Sequence, residues 1–398
     1  MISFKTAHQK VLEHVQDYGS EDIPLISAMG RVLAEDVPAD RNFPPFNRAT
    51  KDGIAINYRA IAAGRSSFKI QGILAAGTAP QLLADISHCV EIMTGAVVPD
   101  NADTVIMYEH LLMENGWAML TRPPIMGQDI HLEGSDIKKG DLLLKRNTRI
   151  SAAEVGILAS VGKASVSVKK LPRTAIVSTG NELVEIRENP LPHQIRKSNT
   201  YSLYGALSEE GIVPTEFHFE DNKKDICEKL VQILKDYDAV LISGGVSKGK
   251  YDHVPEVLEE LGVEKIFHQV LQRPGKPFLF GMHRASKTVL FSFPGNPVST
   301  FVNYLVYFKH WLRSSMGFPD PEVLVILGEN ISIKGDLTLL LKVTITNISG
   351  KMMASLIKEN GSGDFVSLAH TDGFIILDPE KGPYYAGQTV PFVPSRIR

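Results

Sequence analysis

The chain has 398 residues, 43% of them hydrophobic and 22% charged, which is too long for one core and predicts a globular protein of about two to four domains. Its formal net charge of −3 excludes a general electrostatic hold on nucleic acid, and no stretch approaches an apolar membrane span. Cys89 and Cys227 stand far apart without metal-ligand spacing or a disulfide framework, and the first residues show no signal-peptide pattern, so a reducing, cytoplasmic setting is expected.

Thr6 reads as the N-cap of a first helix with Ala7, Val11 and Val15 on one face, and a second short helix is expected from Ser27 through Leu33. Asn42-Phe43-Pro44-Pro45-Phe46-Asn47 follows, where prolines and turn formers exclude helix, and a domain boundary is placed there. From Asp52 to about Ile137, short β runs between glycines and prolines predict a small β domain; Phe68–Ile70, Cys89–Met93 and Thr104–Met107 are the clearest. Mixed character then returns, with Leu142–Leu144 extended, a helix after Ser151, and Ala164–Val168 extended. A chain that leaves one domain, builds a second and comes back to complete the first accounts for these similar flanks. The expected division is 1–43 with 138–171, then 44–137, 172–318 and 319–398.

From Arg173 to about Phe318, strands alternate with helices. Ala175–Val177 ends in the turn Ser178-Thr179-Gly180-Asn181-Glu182, and helices follow around Leu203 to Leu207 and after Asn222. Ala239–Ile242 is a continuous apolar run, as in a strand buried on both faces, and it ends at Ser243-Gly244-Gly245 before a helix carrying Val254, Val257, Leu258 and Leu261. Lys265–Leu271 is extended, then Arg273-Pro274-Gly275-Lys276-Pro277 turns. Val289–Phe293 runs into Pro294-Gly295-Asn296-Pro297-Val298-Ser299 and another helix. This alternation predicts right-handed βαβ units and a mostly parallel sheet. Beyond Pro319 the chain is strand-like again, most clearly at Val343–Ile348 and Phe374–Leu377, so a small β domain closes it.

The turns Ser178–Glu182, Ser243–Asp252 and Pro294–Ser299 all follow strands of that sheet, and in a parallel sheet such turns share the ligand-binding edge. With the basic turn Arg273–Lys276 they favour a pocket for an anion, although each turn taken singly is an ordinary connection. Gly244, Gly249 and Lys250 satisfy G-x-x-x-x-G-K, but Tyr251 stands where a P-loop needs Ser or Thr. Glu182, Asp221 and Asp252 follow predicted strands, while Asp52 and Asp136 sit in glycine-rich turns of the β domain. Singly, each is a cap or a solvated charge. Gathered in one cleft with an anionic substrate they would call for Mg²⁺, which takes one or two carboxylates, waters and phosphate oxygens. Arg273 and Lys276 then suit a second, small oxyanion. No H-E-x-x-H occurs, no nucleophile elbow surrounds Gly361–Gly363, and aromatics do not interleave with basic residues as on a nucleic-acid platform.

Seven stretches, all in order, carry a resemblance: Phe46–Ala55, Ile92–Ala96, Gly134–Ile137, Ser178–Leu183, Ser243–Ser247, Arg273–Phe278 and Leu290–Ser299. Through them the chain resembles the molybdopterin molybdenumtransferase family (MoeA, and the E domain of gephyrin) from near its N-terminus to its C-terminus. The resemblance implies a multidomain α/β and β architecture: a discontinuous helical-and-strand domain, an inserted β domain, an α/β substrate domain of MogA-like type, and a C-terminal small β barrel. It implies elongated homodimers, a cleft shared between subunits, and a molybdenum cofactor synthesis enzyme. Such an enzyme binds adenylated molybdopterin, inserts molybdate and releases AMP with Mg²⁺; the molybdopterin adenylyltransferase is a candidate partner.

Carried over position by position, the resemblance makes Asp52, Asp136, Glu182, Asp252 and Lys276 the catalytic candidates. Thr94, Gly180, Asp221, Gly244, Gly245, Val246, Ser247, Pro294, Asn296 and Ser299 become substrate or nucleotide contacts. Arg273, Lys276, Pro277 and Ser362 would face molybdate, and Glu182, Asp221 and Asp252 would hold Mg²⁺. The sequence departs from the family pattern at Arg273 (usually Lys), Asn181 (usually Asp), Lys51 (usually Met) and in Gly335–Lys342, where an Arg-containing stretch is expected and Lys342 is the cation present. That last departure keeps a second reading open, a scaffold of the same fold without turnover; a P-loop NTPase is the third.

Overall fold

Every residue of Ala239–Ser243 is buried, and this strand lies inside a six-stranded sheet of the computed structural model, which describes residues 1–246, 253–319, 321–358, 361 and 363–396. The sheet order is Thr215–Phe219, Thr174–Thr179, Ala239–Ser243, Thr288–Phe293, Leu279–His283, Val263–His268. The first four strands run parallel, Leu279–His283 runs antiparallel to both its neighbours, and Val263–His268 thus points the same way as the first four. Successive side chains of a strand face opposite sides, and here both sides are apolar. Ile176, Leu241 and Phe291 join one core with the helices Ser198–Glu209 and Pro297–Asn303. Ala175, Val177, Val240, Ile242 and Leu290 join the other with Lys223–Asp236 and Val254–Glu260. The result is a three-layer α/β/α arrangement.

The first compact unit comprises residues 1–22, 30–34 and 167–398. Besides the α/β layer it contains a closed five-stranded barrel: Thr338–Ile348 pairs with Lys351–Leu356 and with Gly373–Leu377, and the ring is completed through Val323–Leu327 and Thr389–Pro394. Val325, Val343, Ile375, Leu377 and Val390 fill its core. Strand Val270–Arg273 runs parallel to Ile2–Ser3 on one side and to Thr338–Ile348 on the other, so the basic turn leaves the sheet beside the barrel.

The second unit comprises residues 23–29 and 35–166. Its six-stranded sheet has the order Thr104–Met107, Gly53–Ile56, His88–Ile92, Ser67–Leu74, Trp117–Leu120, Leu111–Glu114, with apolar clusters on both faces. The carbonyl of Ile106 fills the place a Cβ would take at residue 53, so the close approach of these strands requires Gly53. Helix Ala152–Ser160 starts at a capping box of Ser151 and Glu154.

Three expectations need correction. The first helix spans Phe4–Leu12 and is capped by Ser3, whose Oγ accepts from the Thr6 backbone N–H at 3.1 Å; Val15 lies beyond it and is exposed. No helix covers Ser27–Leu33. A short 3₁₀ turn spans Leu25–Ser27, Gly30 has φ 81°, and Val32–Ala34 takes backbone partners at Ser167 and Lys169 instead. Lys265–Leu271 is two strands in two different sheets, separated at Gln269 with φ 74°.

Candidate substrate-binding pocket

From Thr174–Thr179 the chain builds Thr215–Phe219 on one side, then crosses to lay Ala239–Ser243 on the other. Connections leaving the carboxyl ends of those two strands therefore diverge, and a crevice opens between them. A cavity of about 510 Å³ occupies it, lined by the turns after Ser178, Ser243 and Pro294, by Asp221, by the segment Ile195–Thr200, and by Gly363 from the barrel side. Of the expected substrate contacts, Gly180, Asp221, Gly244, Gly245, Val246, Pro294 and Asn296 meet here, together with Glu182.

Glycine is required where the turns crowd. Gly180 has φ 135°, and a Cβ there would stand 2.5 Å from Glu182 Oε2. Gly244 and Gly245 have φ 99° and 67°, and a Cβ on either would come within 2.9 Å of Thr179 Oγ1.

The most informative wall was not anticipated. Helix Ser198–Glu209 begins at the cavity, so its unpaired N–H groups and positive dipole end face the ligand space. Asn199 fixes that end: its Nδ2 donates to Ser243 Oγ at 2.9 Å and to the Gly295 carbonyl at 2.7 Å. Thr179 and Thr200 both line the cavity, and their buried hydroxyls have no hydrogen-bond partner among the described residues. Buried hydroxyls without partners are costly, and oxygens of an anionic ligand would satisfy them. Arg196 and Lys197 bring positive charge to the same wall, with Lys197 ion-paired to Glu185. The only available signal was the K-S-N-T run opening an amphipathic helix.

Two carboxylates share the pocket. Asp221 Oδ2 accepts from the Asn181 backbone N–H at 3.3 Å, and Asn181 Oδ1 accepts from the Asp221 N–H at 3.0 Å, so the two turns lock reciprocally beside Glu182. Among the described residues, no group of three or more His, Cys, Asp and Glu is placed to hold a metal ion. Two carboxylates facing ligand space match instead what Mg²⁺ uses when phosphate oxygens and water complete its shell. Behind the wall, Ser178 Oγ lies 3.0 Å from His218 Nδ1; burial, then the neighbouring Lys197, lowers the His218 pKa.

The remaining expected residues fall elsewhere. Ser299 is buried inside helix Pro297–Asn303 and does not line the cavity; its neighbour Thr300 braces the turn by donating to the Pro294 carbonyl at 2.6 Å. Arg273, Lys276 and Pro277 lie on their own turn, with both cations exposed and outside this cavity. Ser247, Asp252, Ser362 and the Lys248–Lys250 part of the P-loop-like run lie outside the described residues. Lys342 is buried in the barrel, where its Nζ donates to Ser367 Oγ at 2.5 Å.

In the second unit, Asp52 Oδ1 accepts from both the Thr94 hydroxyl and the Thr94 N–H, each at 2.6 Å. Those bonds, the hydroxyl's first, hold the Asp52 carboxyl below its ordinary pKa and keep it an anion. Asp136 Oδ1 lies 2.8 Å from His131 Nε2, and His131 Nδ1 lies 3.2 Å from Arg48 Nη2. Because Arg48 only donates, Nδ1 accepts and Nε2 carries the proton toward Asp136.

Three family models tile the chain: the MoeA N-terminal region (domain I and II) matches residues 2–162, a probable molybdopterin binding domain matches 175–314, and the MoeA C-terminal region (domain IV) matches 325–395. A molybdopterin molybdenumtransferase from Synechocystis sp. is 36% identical over 396 residues, covering 98% of this chain and 99% of that protein. The chain belongs to the MoeA molybdopterin molybdenumtransferase family. A family member from Bacillus subtilis is 30% identical, covering 95% of this chain and 90% of its own. The molybdopterin biosynthesis MoeA protein solved from Pyrococcus horikosii superposes with a TM-score of 0.83 at 28% identity, covering 100% of both chains. The MoeA fold, with its α/β layer and closed barrel, is thus the fold of this chain. Every wall of the cavity lies within the probable molybdopterin binding domain except Gly363, which the MoeA C-terminal region supplies.

Proposed function

We propose that this chain inserts molybdate into adenylated molybdopterin and releases AMP in an Mg²⁺-dependent reaction. Family membership makes it a transferase of molybdenum cofactor biosynthesis. The adenylate and the metal rest on the chemistry of the pocket. The observation that carries the reading is the switch-point cavity: a helix N-terminus, two unpartnered threonine hydroxyls and a glycine turn facing two carboxylates.

The anionic phosphates would lie against the N-terminus of Ser198–Glu209 and the Thr179 and Thr200 hydroxyls, while Gly244 and Gly245 leave room for their approach. Glu182 and Asp221 would hold Mg²⁺, which when bound supplies positive charge beside the phosphates. Arg273 and Lys276 would present a planar fork and a compact ammonium to the tetrahedral oxyanion. Asp52, held anionic by Thr94, would serve as an acceptor rather than an acid. We further propose a cytoplasmic homodimer of four-domain subunits, in which Asp52, Thr94 and Asp136 of one copy serve the pocket of the other, and which receives its pterin from the adenylyltransferase. Among the described residues no helix is long and apolar enough to cross a membrane.

The test combines purified protein, adenylated molybdopterin, molybdate and Mg²⁺, and follows AMP and cofactor. AMP release that requires the protein and rises with molybdate is expected, and Lys276→Ala should raise the half-saturating molybdate about tenfold, the loss of one charge-assisted contact. No AMP above a protein-free control would defeat the enzyme reading in favour of the scaffold. Turnover of ATP without any pterin would favour the P-loop reading.

A further inference from the structure

The basic turn Arg273–Pro277 has few means of fastening itself. Pro274 and Pro277 have no backbone N–H, and Gly275 has φ 85°. Its anchor lies underneath. Gln272, Asn303 and Tyr307 are each 0% exposed. Gln272 Nε2 donates to the Pro274 carbonyl at 3.0 Å and to Asn303 Oδ1 at 2.8 Å, while Asn303 Nδ2 donates to the Gly275 carbonyl at 3.2 Å. The Tyr307 hydroxyl donates to Gln272 Oε1, which fixes the orientation of that amide. All four polar atoms of the two amides are therefore engaged, and a Cβ on Gly275 would stand 2.5 Å from Asn303 Oδ1. Asn303 and Tyr307, four residues apart, share one face where helix Pro297–Asn303 continues into the π-helical turn Tyr304–Lys309.

A network this buried is out of proportion for a surface connection. Its two endpoints are the carbonyls between the exposed cations Arg273 and Lys276. Loose cations must be ordered when an oxyanion binds, and a turn held in advance removes part of that cost. We propose that Gln272, Asn303 and Tyr307 are positioning residues that set Arg273 and Lys276 at the spacing a small tetrahedral oxyanion requires. This rests on the assignment of molybdate to that turn.

The test uses Tyr307→Phe, which deletes one oxygen, and Asn303→Ala, with wild type alongside. The half-saturating molybdate in the AMP-release assay should rise about tenfold in each, while calorimetric affinity for adenylated molybdopterin without molybdate stays within about twofold of wild type. If Asn303→Ala does not fold, Tyr307→Phe carries the measurement. An unchanged molybdate requirement would overturn the proposal, as would equal losses for both ligands, which would mean general loosening. A wild type indifferent to molybdate would instead remove the assignment of the turn, a result visible before any variant is compared.

Discussion

Asn181 Oδ1 accepts from the Asp221 N–H beside the cavity. An aspartate oxygen would accept the same bond, so the turns would stay locked. What changes is charge, since a third carboxylate would join Glu182 and Asp221. Asn181→Asp should lower the Mg²⁺ concentration for half-maximal AMP release about fivefold, because hard cations gain affinity with ligand charge. A higher Mg²⁺ requirement in that titration would mean the added charge repels the phosphates more than it attracts the metal. At this scale the sequence was partly legible. Glycine turns after apolar runs announced the cavity, and Asp52 and Thr94 stood out in their motifs. Ser299 did not reach the pocket, because which face of Pro297–Asn303 turns inward depends on packing from elements far away in sequence. The unpartnered hydroxyls of Thr179 and Thr200 were equally hidden, since satisfaction of a donor is a property of the assembled wall.

The helix Phe4–Leu12 shows the same limit for elements. Its apolar positions Ala7 and Val11 were readable, and both are fully buried against the core that also holds Trp311. His8, on the adjoining face, has Nε2 2.9 Å from His310 Nδ1 and packs near Phe4 and Tyr307. Burial, then the charge of His310, lowers the His8 pKa to about 4. A depressed pKa means the unfolded chain binds the proton more readily than the folded one. Stability from this site is therefore complete above the ordinary value of 6.5 and falls as pH drops toward 4, by roughly 3 kcal/mol at most. Thermal melts between pH 7 and pH 4 should fall less steeply for His8→Gln than for wild type. Parallel curves would remove His8 from the acid response. No periodicity could have announced this pair, because its members are 302 positions apart. The π-helical turn after Asn303 was invisible for a similar reason: its apolar run fits a buried helix of either kind.

For the whole molecule, order of motifs conveyed the architecture well: apolar runs alternating with amphipathic helices specify a parallel sheet with two covered faces, whatever the loops do. Periodicity alone made the barrel legible only as strands, and its closed form came through the family resemblance, because closure depends on pairings such as Leu339 with Leu377 between segments that look alike. The barrel edge bears on the turn proposed for molybdate. Arg273 lies in register with Leu339, while Lys342 on the same barrel strand is buried on Ser367, so Arg273 is an exposed cation at the barrel edge of the turn. Arg273→Lys, which keeps the charge without the planar fork, should therefore weaken molybdate about fivefold rather than leave it unchanged. A molybdate titration equal to wild type would show that charge alone suffices there. The proposed sharing of sites between copies can be tested by complementation. Assayed at molybdate well below wild-type half-saturation, homodimers of Asp52→Ala and of Lys276→Ala subunits should each release AMP at about a tenth of the wild-type rate or less. In a mixed dimer of an isologous pair, one shared site collects both lesions and the other collects none. Random reassociation of equal amounts should thus restore roughly a quarter of wild-type AMP release. If each subunit served its own site, every site in the mixture would carry one lesion, and activity would stay at the level of the single variants.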